Sequence, residues 1–406
     1  MFSFLKGLFV GDAAAQGVLP EAPNEPSSRV DRTDMKLSIE RAQLFKSLQH
    51  VQSVVERRNT IPILSNVKLV AGDAGLSLNA TDLDLDITET VPAEVIEPGA
   101  TTAPAHILFD IVRKLPDGAK VEISTGQTDG QLMLTSGRSR FSLSTLAVGE
   151  FPEMTGGALT HSFRVAAADL RGLIDRTRFA IAVEETRYYL NGIFLHQSAS
   201  DGVPVLRAVA TDGHRLARVE LPLPDGAQGL PGVILPRKTV GELRKLIEDT
   251  QSDIAVSLSD SRVRFAFDDA VMTSKLIDGT FPDYERVIPT DNDKVLEVDR
   301  KAFAQAVDRV AAVSSEKSRA VKMQVLSGLV RLSASSPESG SAEEELEAAY
   351  EGSPLDIGFN ARYLLDIMSQ IEGDAARFGM LDAASPTVVR DVGDGAAVYV
   401  LMPMRV

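Results

Sequence analysis

The chain has 406 residues, no cysteine, no tryptophan and a formal net charge of −15 from 42 Lys+Arg against 57 Asp+Glu. Such a length exceeds one ordinary core and predicts two to four domains of about 100 to 200 residues each. Without cysteine, disulfides, thiolate metal sites and a cysteine nucleophile are excluded and a reducing cytoplasm is the expected setting, and no apolar run reaches the roughly 20 residues of a membrane span.

Residues 1–34 are expected to form a disordered leader: MFSFLKGLFV is interrupted by Lys6, and a non-periodic stretch of Ala, Gly, Pro, Ser, Asn and acids follows. Regular patterning begins at Met35. In 41–58 the apolar residues Leu44, Leu48, Val51 and Val54 recur at helical spacing. Alternating segments such as KLVAGDAGLSLNATDLDLDIT then read as half-buried strands bounded by Gly and Asp turns. Further helices are predicted over 105–115, 168–178, 236–247, 301–319 and 360–371.

The pattern repeats three times. Counted from Leu44, Leu170 and Phe303, the position four on is Leu48, Ile174 and Val307, and the tenth is Val54, Ala180 and Val313. The twentieth is Leu64, Leu190 and Met323, and the twenty-third is Val67, Ile193 and Leu326. A second helix in each unit, counted from Pro104, Pro236 and Asn360, shares its apolar phase and carries an acid six on, at Asp110, Glu242 and Asp366. LAVGEFPEM (146–154) and LIDGTFPDY (276–284) correspond as well. These repeats predict an α+β fold of three similar domains, 35–154, 162–283 and 284–406, each a sheet carrying two helices on one face.

Charge is divided between the element types. The six helical windows sum to +10, leaving −25 for the rest of the chain. A helical face would therefore attract phosphate weakly and without reading bases, while the opposite face repels it.

Several stretches invite a chemical reading. TDLDLDIT (81–88) spaces Asp82, Asp84 and Asp86 so that all three would project from one strand face, as a charge-protected edge. TDGHRLARV (211–219) brings Asp212 and His214 together like an acid/base pair or a metal site. No second ligand cluster, nucleophile elbow, phosphate loop or dinucleotide fingerprint accompanies them, and the five histidines show no ligand spacing. Gly213 suits a tight turn and Leu216 an apolar wall, while His214 and Arg215 carry donors for a peptide backbone or carboxylate. The stretch therefore reads as a docking site, with no catalytic residue, metal or cofactor expected.

From Met35 to Val406 the chain resembles the bacterial DNA polymerase III β-subunit family, the sliding clamps. The resemblance is carried by NTIPILSNV (59–67), EPGATTAPA (97–105), SGRSRFSLSTL (136–146), RYYLNGIF (187–194), ATDGHRLA (210–217), TSKLIDGTFPDYERVIP (273–289) and MPMRV (402–406). It implies a non-catalytic processivity factor: a head-to-tail homodimer closing into a ring around double-stranded DNA, helices inside and sheets outside. The implied partners are the replicative polymerase catalytic subunit, the clamp loader, and translesion polymerase, mismatch-repair and ligase proteins that carry short hydrophobic motifs.

The resemblance also implies residues. A partner-peptide groove maps to Leu190, Thr211, Gly213, His214, Arg215, Leu216, Pro282, Arg286, Val287, Pro386, Val400, Leu401, Met402, Pro403, Met404 and Arg405. DNA contacts map to Arg58, Arg113, Tyr188, Tyr189, Arg237 and Lys238, the two tyrosines being expected on a strand with at least one exposed. The dimer contact maps to Arg138, Arg140, Phe141 and Leu143 on the last strand of domain 1, against Ala312 and Val313 of domain 3, with Glu343 and Glu344 facing the two arginines.

Overall fold

The computed structural model describes residues 34–125, 130–154, 157–315 and 319–406, so the predicted leader lies outside it except for Asp34. Six helices appear among these residues: α1 (Arg41–Val51), α2 (Ala105–Lys114), α3 (Ala167–Asp175), α4 (Arg237–Leu246), α5 (Arg300–Ala311) and α6 (Ala361–Met368). Each follows directly on a strand. Pro104 and Pro236 precede α2 and α4 at φ −58° and −59°, where a residue without an N–H leaves no orphan donor. Asp299 and Asn360 cap α5 and α6, accepting from Ala302 N and Arg362 N at 2.7 and 2.9 Å, which satisfies first-turn amides. No described helix is long and apolar enough to cross a membrane.

Apolar periodicity found the helices but overran their ends. α1 stops at Val51, yet Val54 and Val55 stay buried in the turn beyond it. Residues 52–55 thus keep the pattern of a buried face without the helix, because periodicity reports burial rather than dihedral angles. α5 likewise ends at Ala311, well short of 319.

The third repeat also needs a different count. Strand pairing aligns Asn66 with Pro104, Gly192 with Pro236 and Ala320 with Asn360. The counterpart of Val67 and Ile193 is therefore Val321, not Leu326, and Met323 does not correspond to Leu64 and Leu190. The connector after the first helix is five residues shorter in the third unit, counted from Phe303 to Ala320 against Leu44 to Asn66. Helical phase cannot count loop residues.

Among the described residues, twenty-five strands make four sheets of five, eight, eight and four strands. Both eight-stranded sheets cross a boundary between repeats. Ala270–Lys275 pairs antiparallel with Leu85–Val91, fusing the first and second units, and Ala397–Leu401 pairs with Arg215–Pro222, fusing the second and third. Helices pack in pairs within each unit, α1 on α2, α3 on α4 and α5 on α6, and α1 meets α4 across the first junction. Their buried faces, such as Leu44, Leu48 and Val51 of α1, join inward strand residues in one extended core.

Two local expectations are corrected. Asp82 and Asp84 lie in a turn, with Leu83 at φ +78°, so the three aspartates share no strand face. Asp82 Oδ1 accepts the amides of Asp84 and Leu85 at 2.9 and 2.7 Å, and this local bonding competes successfully with the extended backbone that alternation predicted. Tyr188 and Tyr189 belong to a short 3₁₀ helix, Tyr188–Leu190, rather than a strand. Tyr188 is exposed, and Tyr189 packs edge-on against it and onto a small apolar cluster.

Candidate docking groove and helical face

The Thr211–Arg215 turn is built by its own side chains. Thr211 Oγ1 donates to Arg215 O at 2.8 Å and accepts from Gly213 N at 3.1 Å. Asp212 Oδ1 accepts from the amides of His214 and Arg215 at 2.9 and 3.0 Å. Asp212 therefore holds the turn. Gly213 sits at φ +87°, and a Cβ there would stand 2.6 Å from Arg187 Nη1. Glycine both permits the left-handed backbone and leaves room for Arg187, which donates to Asp212 O at 3.0 Å.

The last strand brings the C-terminus to this turn. Met402 N donates to His214 O at 2.9 Å and Met404 N to Gly358 O at 2.8 Å. Leu190, Leu216 and Val400 are buried in an apolar cluster with Val209, Phe281 and Tyr284, separate from the main core. They form a floor. Leu401 is also buried. Gly213, His214, Met402 and Arg405 are exposed above this cluster, Pro282, Arg286 and Val287 are exposed on the linker between the second and third units, and Thr211, Pro386, Pro403 and Met404 are half-buried. The residues form an open, largely apolar face with a basic rim. A hollow of about 270 Å³ lies elsewhere, between α1 and α4 at the first junction.

Arg215 plays a different part from the one expected of it. Its side chain is only 10% exposed, with Nε on Asp212 and Nη1 on Asp366 of α6, and Nη2 donates to Phe179 O at 2.6 Å. The guanidinium lies 5.1 Å from the Phe179 ring centroid and 4.3 Å from that of Tyr363. It staples the third unit to the second beneath the groove, and each of its three nitrogens already has a partner.

Sequence reasoning missed Arg207, which is 2% exposed in an otherwise apolar strand. It donates to Glu220 at 3.0 Å, to Tyr284 Oη at 2.9 Å, to Glu285 at 2.7 Å and to Ala199 O at 3.2 Å. His196 Nε2 meets the same Tyr284 hydroxyl at 3.0 Å. Burial pushes His196 below its ordinary value, and burial raises Tyr284 against the opposing Arg207 bond. This network fixes the linker that carries Pro282, Arg286 and Val287. A charged residue amid VPVLRAVAT was the available signal, because a buried charge demands partners.

Arg113 on α2 and Arg237 on α4 are exposed, as is Arg58 in the loop beyond α1. Lys238 is not free: its Nζ donates to Val54 O and Glu56 at 3.1 Å each and also to Asp82. It ties the second unit to the first. Other helical bases meet acids from loops, including Arg41 with Asp117 at 2.9 Å and Lys46 with Asp249 at 3.5 Å. Arg244 meets Asp175 at 2.7 Å and also Glu248. The charge separated along the sequence is thus partly recombined in space, leaving a weakly basic face.

Two of the sheet edges are the counterparts of the strands that make the internal junctions and have no such partner among the described residues: Ser139–Ser144, ending the five-stranded sheet, and Gly340–Glu347, ending the four-stranded one. Arg140 is exposed on the first, Arg138 is exposed in the turn before it, Phe141 is half-buried and Leu143 buried. On the second, Glu344 accepts two bonds from Arg309 at 3.0 and 2.6 Å, and Glu343 lies 3.5 Å from Arg331. Ala312 is exposed and Val313 half-buried just beyond α5. Among the described residues no group of three or more His, Cys, Asp or Glu could hold a metal ion.

Comparison with known proteins matches the chain in three successive stretches. Residues 35–155, 164–283 and 285–405 match the N-terminal, central and C-terminal domain models of the DNA polymerase III beta subunit. The beta sliding clamp of Caulobacter vibrioides (strain NA1000 / CB15N) is 55% identical over 372 residues, 92% of this chain and 100% of that protein. That of Escherichia coli (strain K12) is 40% identical over 375 residues, 91% and 100% of the respective chains. A crystal structure of a DnaN sliding clamp from Bartonella birtlesii bound to griselimycin superposes with TM-score 0.89 at 49% identity, covering 92% of this chain and 100% of that one. The C. crescentus beta sliding clamp with PEG bound superposes with TM-score 0.90 at 55% identity and the same coverage. With all three domain models matched in order and relatives aligned over their whole length, the chain belongs to the DNA polymerase III beta-subunit family of sliding clamps, the non-catalytic processivity factors of bacterial DNA replication.

Proposed function

We propose that two copies of the chain close head to tail into a ring that encircles duplex DNA, with Ser139–Ser144 of one protomer added to Gly340–Glu347 of its partner. One observation carries this reading: both junctions inside the chain are made by equivalent strand pairs, and one unused strand of each kind is left over. Heterologous contacts of that sort close when their rotations sum to a full turn, and pairing is the ordinary fate of an exposed edge. The third unit's counterpart of Glu89 and Val219 is Glu344, so carrying over the registers Ala270 with Glu89 and Ala397 with Val219 sets Ser139 opposite the partner's Glu344. Arg140 then faces the partner's Glu343 and Arg138 the partner's Glu345, on the outer face of the sheet. Just as α1 meets α4 across the first junction, α5 with Ala312 and Val313 would meet the partner's α2.

In this reading Arg58, Arg113, Arg237 and Tyr188 meet phosphate and sugar without reading bases, Tyr189 supports Tyr188, and Lys238 acts mainly between units. The open face above Leu190, Leu216 and Val400 takes short apolar peptides. Aliphatic walls and two methionines adapt to varied side chains, and the rim arginines steer acidic ends. The occupants are the replicative polymerase catalytic subunit, the clamp loader, and translesion, mismatch-repair and ligase proteins, in the bacterial cytoplasm. The test is topological. Loaded by clamp loader and ATP onto nicked circular plasmid, the ring should stay until the DNA is linearised and then slide off; retention on linear DNA with free ends overturns the proposal.

A further inference from the structure

The groove has a counterpart at the first junction, built on the same backbone. Thr81 Oγ1 donates to Leu85 O at 2.9 Å and accepts from Leu83 N at 3.1 Å, as Thr211 does with Arg215 and Gly213. Asp82 takes the place of Asp212, and Leu83 at φ +78° that of Gly213 at φ +87°. Lys275 N donates to Asp84 O at 2.8 Å, matching Met402 N to His214 O, and Ile277 N donates to Ile234 O at 3.0 Å, matching Met404 N to Gly358 O. Register places Asp86 opposite Thr81 and Thr273, where Leu216 stands opposite Thr211 and Val400. It also pairs Lys68 with Asn79, where Phe194 pairs with Val209.

Only the side chains differ. Val209, Leu216, Phe194 and Val400 become Asn79, Asp86, Lys68 and Thr273, and the wall residues Met402 and His214 become Lys275 and Asp84. These replacements bond to one another and to neighbours. Asn79 Nδ2 donates to both Asp86 oxygens at 2.9 and 3.0 Å, Lys68 meets Glu153 at 3.3 Å, and Lys275 meets Asp84 at 2.8 Å. Phe281 stacks on Phe194 at 4.9 Å, whereas its counterpart Phe151 carries the Lys68 ammonium 5.9 Å above its ring. Burial holds the Asp86 carboxyl above its ordinary value against the Asn79 and Thr88 bonds.

We propose that Lys68, Asn79, Asp84, Asp86, Thr273 and Lys275 are specificity residues that close the first junction to apolar peptides. Each chain then presents one groove although its backbone builds two. Covering the Asn79–Asp86 pair with an apolar side chain would strip it of water without giving it a new partner, a penalty that discriminates against the wrong site. The Asp84–Lys275 pair is half or more exposed on both sides, so it adds little to stability and acts through the charge it presents. The inference rests on the reading of the Leu216–Met402 face as the peptide groove.

The test uses a fluorescent synthetic peptide with adjacent leucine and phenylalanine side chains, titrated against the full-length dimer with photocrosslinking to locate it. The native chain should take one peptide, lost on Met402→Ala with Met404→Ala; no such loss defeats the groove reading itself. Lys68→Phe, Asn79→Val, Asp86→Leu, Thr273→Val and Lys275→Met together should add a second peptide that survives the two methionine changes and crosslinks at the first junction. A folded dimeric graft that still takes one peptide overturns the inference, as does a native chain that takes two. If the graft does not fold, the exposed changes Asp84→Ala with Lys275→Met decide. At least a tenfold gain in crosslinking at the first junction supports the inference, and no gain refutes it.

Discussion

Replacing Arg207 by methionine tests whether the buried network holds the groove wall. The substitution keeps most of the aliphatic stem and removes the charge. Glu220, whose side chain is 9% exposed, loses the donor at 3.0 Å, and the buried Tyr284 hydroxyl loses the one at 2.9 Å. Removing one partner of a buried ion pair costs about 3–5 kcal/mol when the other is left uncompensated; the Ser200 bond and the nearby Arg218 charge still act on Glu220, so the loss falls at the lower end of that range. The bond to Glu285 adds little to that total, since Glu285 is 62% exposed. Urea unfolding followed by hydrogen exchange should show a loss of this size, concentrated in the second unit and residues 281–288, together with weaker peptide binding and an intact dimer. Arg207→Met with Glu220→Gln should recover a large part of the stability, because the stranded carboxylate is gone. A single-variant loss below about 1 kcal/mol with unchanged peptide affinity would refute the reasoning.

Other outcomes follow from the same geometry. Met402→Ala with Met404→Ala should weaken peptide and polymerase binding while sedimentation still shows the dimer; loss of the dimer would place these residues in the core. Arg138→Glu with Arg140→Glu should dissociate the ring at micromolar concentration, and the partner changes Glu343→Arg with Glu345→Arg should restore part of it. Arg237→Ala should lower the salt dependence of DNA binding by about 0.9 in log–log slope if it neutralises one phosphate, whereas Lys238→Ala should leave that slope nearly unchanged. Asp391 is desolvated, but the amides of Gly373, Gly393 and Glu372 outweigh that and hold it below its ordinary value of 3.8. Its contribution to stability is therefore present above that value and lost as pH falls through the lower folded one; Asp391→Asn should flatten the acid side of the unfolding profile.

Much of the molecule was legible in its amino acids. Leu44, Leu48 and Val51 announce a helix because a buried face must recur every three to four residues, and the same phase at Leu170 and Phe303 announces the repeat. LAVGEFPEM and LIDGTFPDY mark equivalent domain ends, and ATDGHRLA with MPMRV identifies the family. Local sequence also contains the Thr211–Arg215 turn, since Thr211 and Asp212 make its bonds within four residues. What the chain order hides is partnership between distant positions. That Lys238 is spent on Asp82, 156 residues away, that Arg215 staples Asp366, and that Arg207 holds the linker were decided by packing. So was the difference between the two junctions: one turn geometry occurs twice, but an apolar floor forms only where Val209, Leu216, Phe194 and Val400 converge from four strands. Periodicity is a local property of a backbone, whereas charge pairing and sheet edges depend on which strands meet, and only the folded chain brings them together.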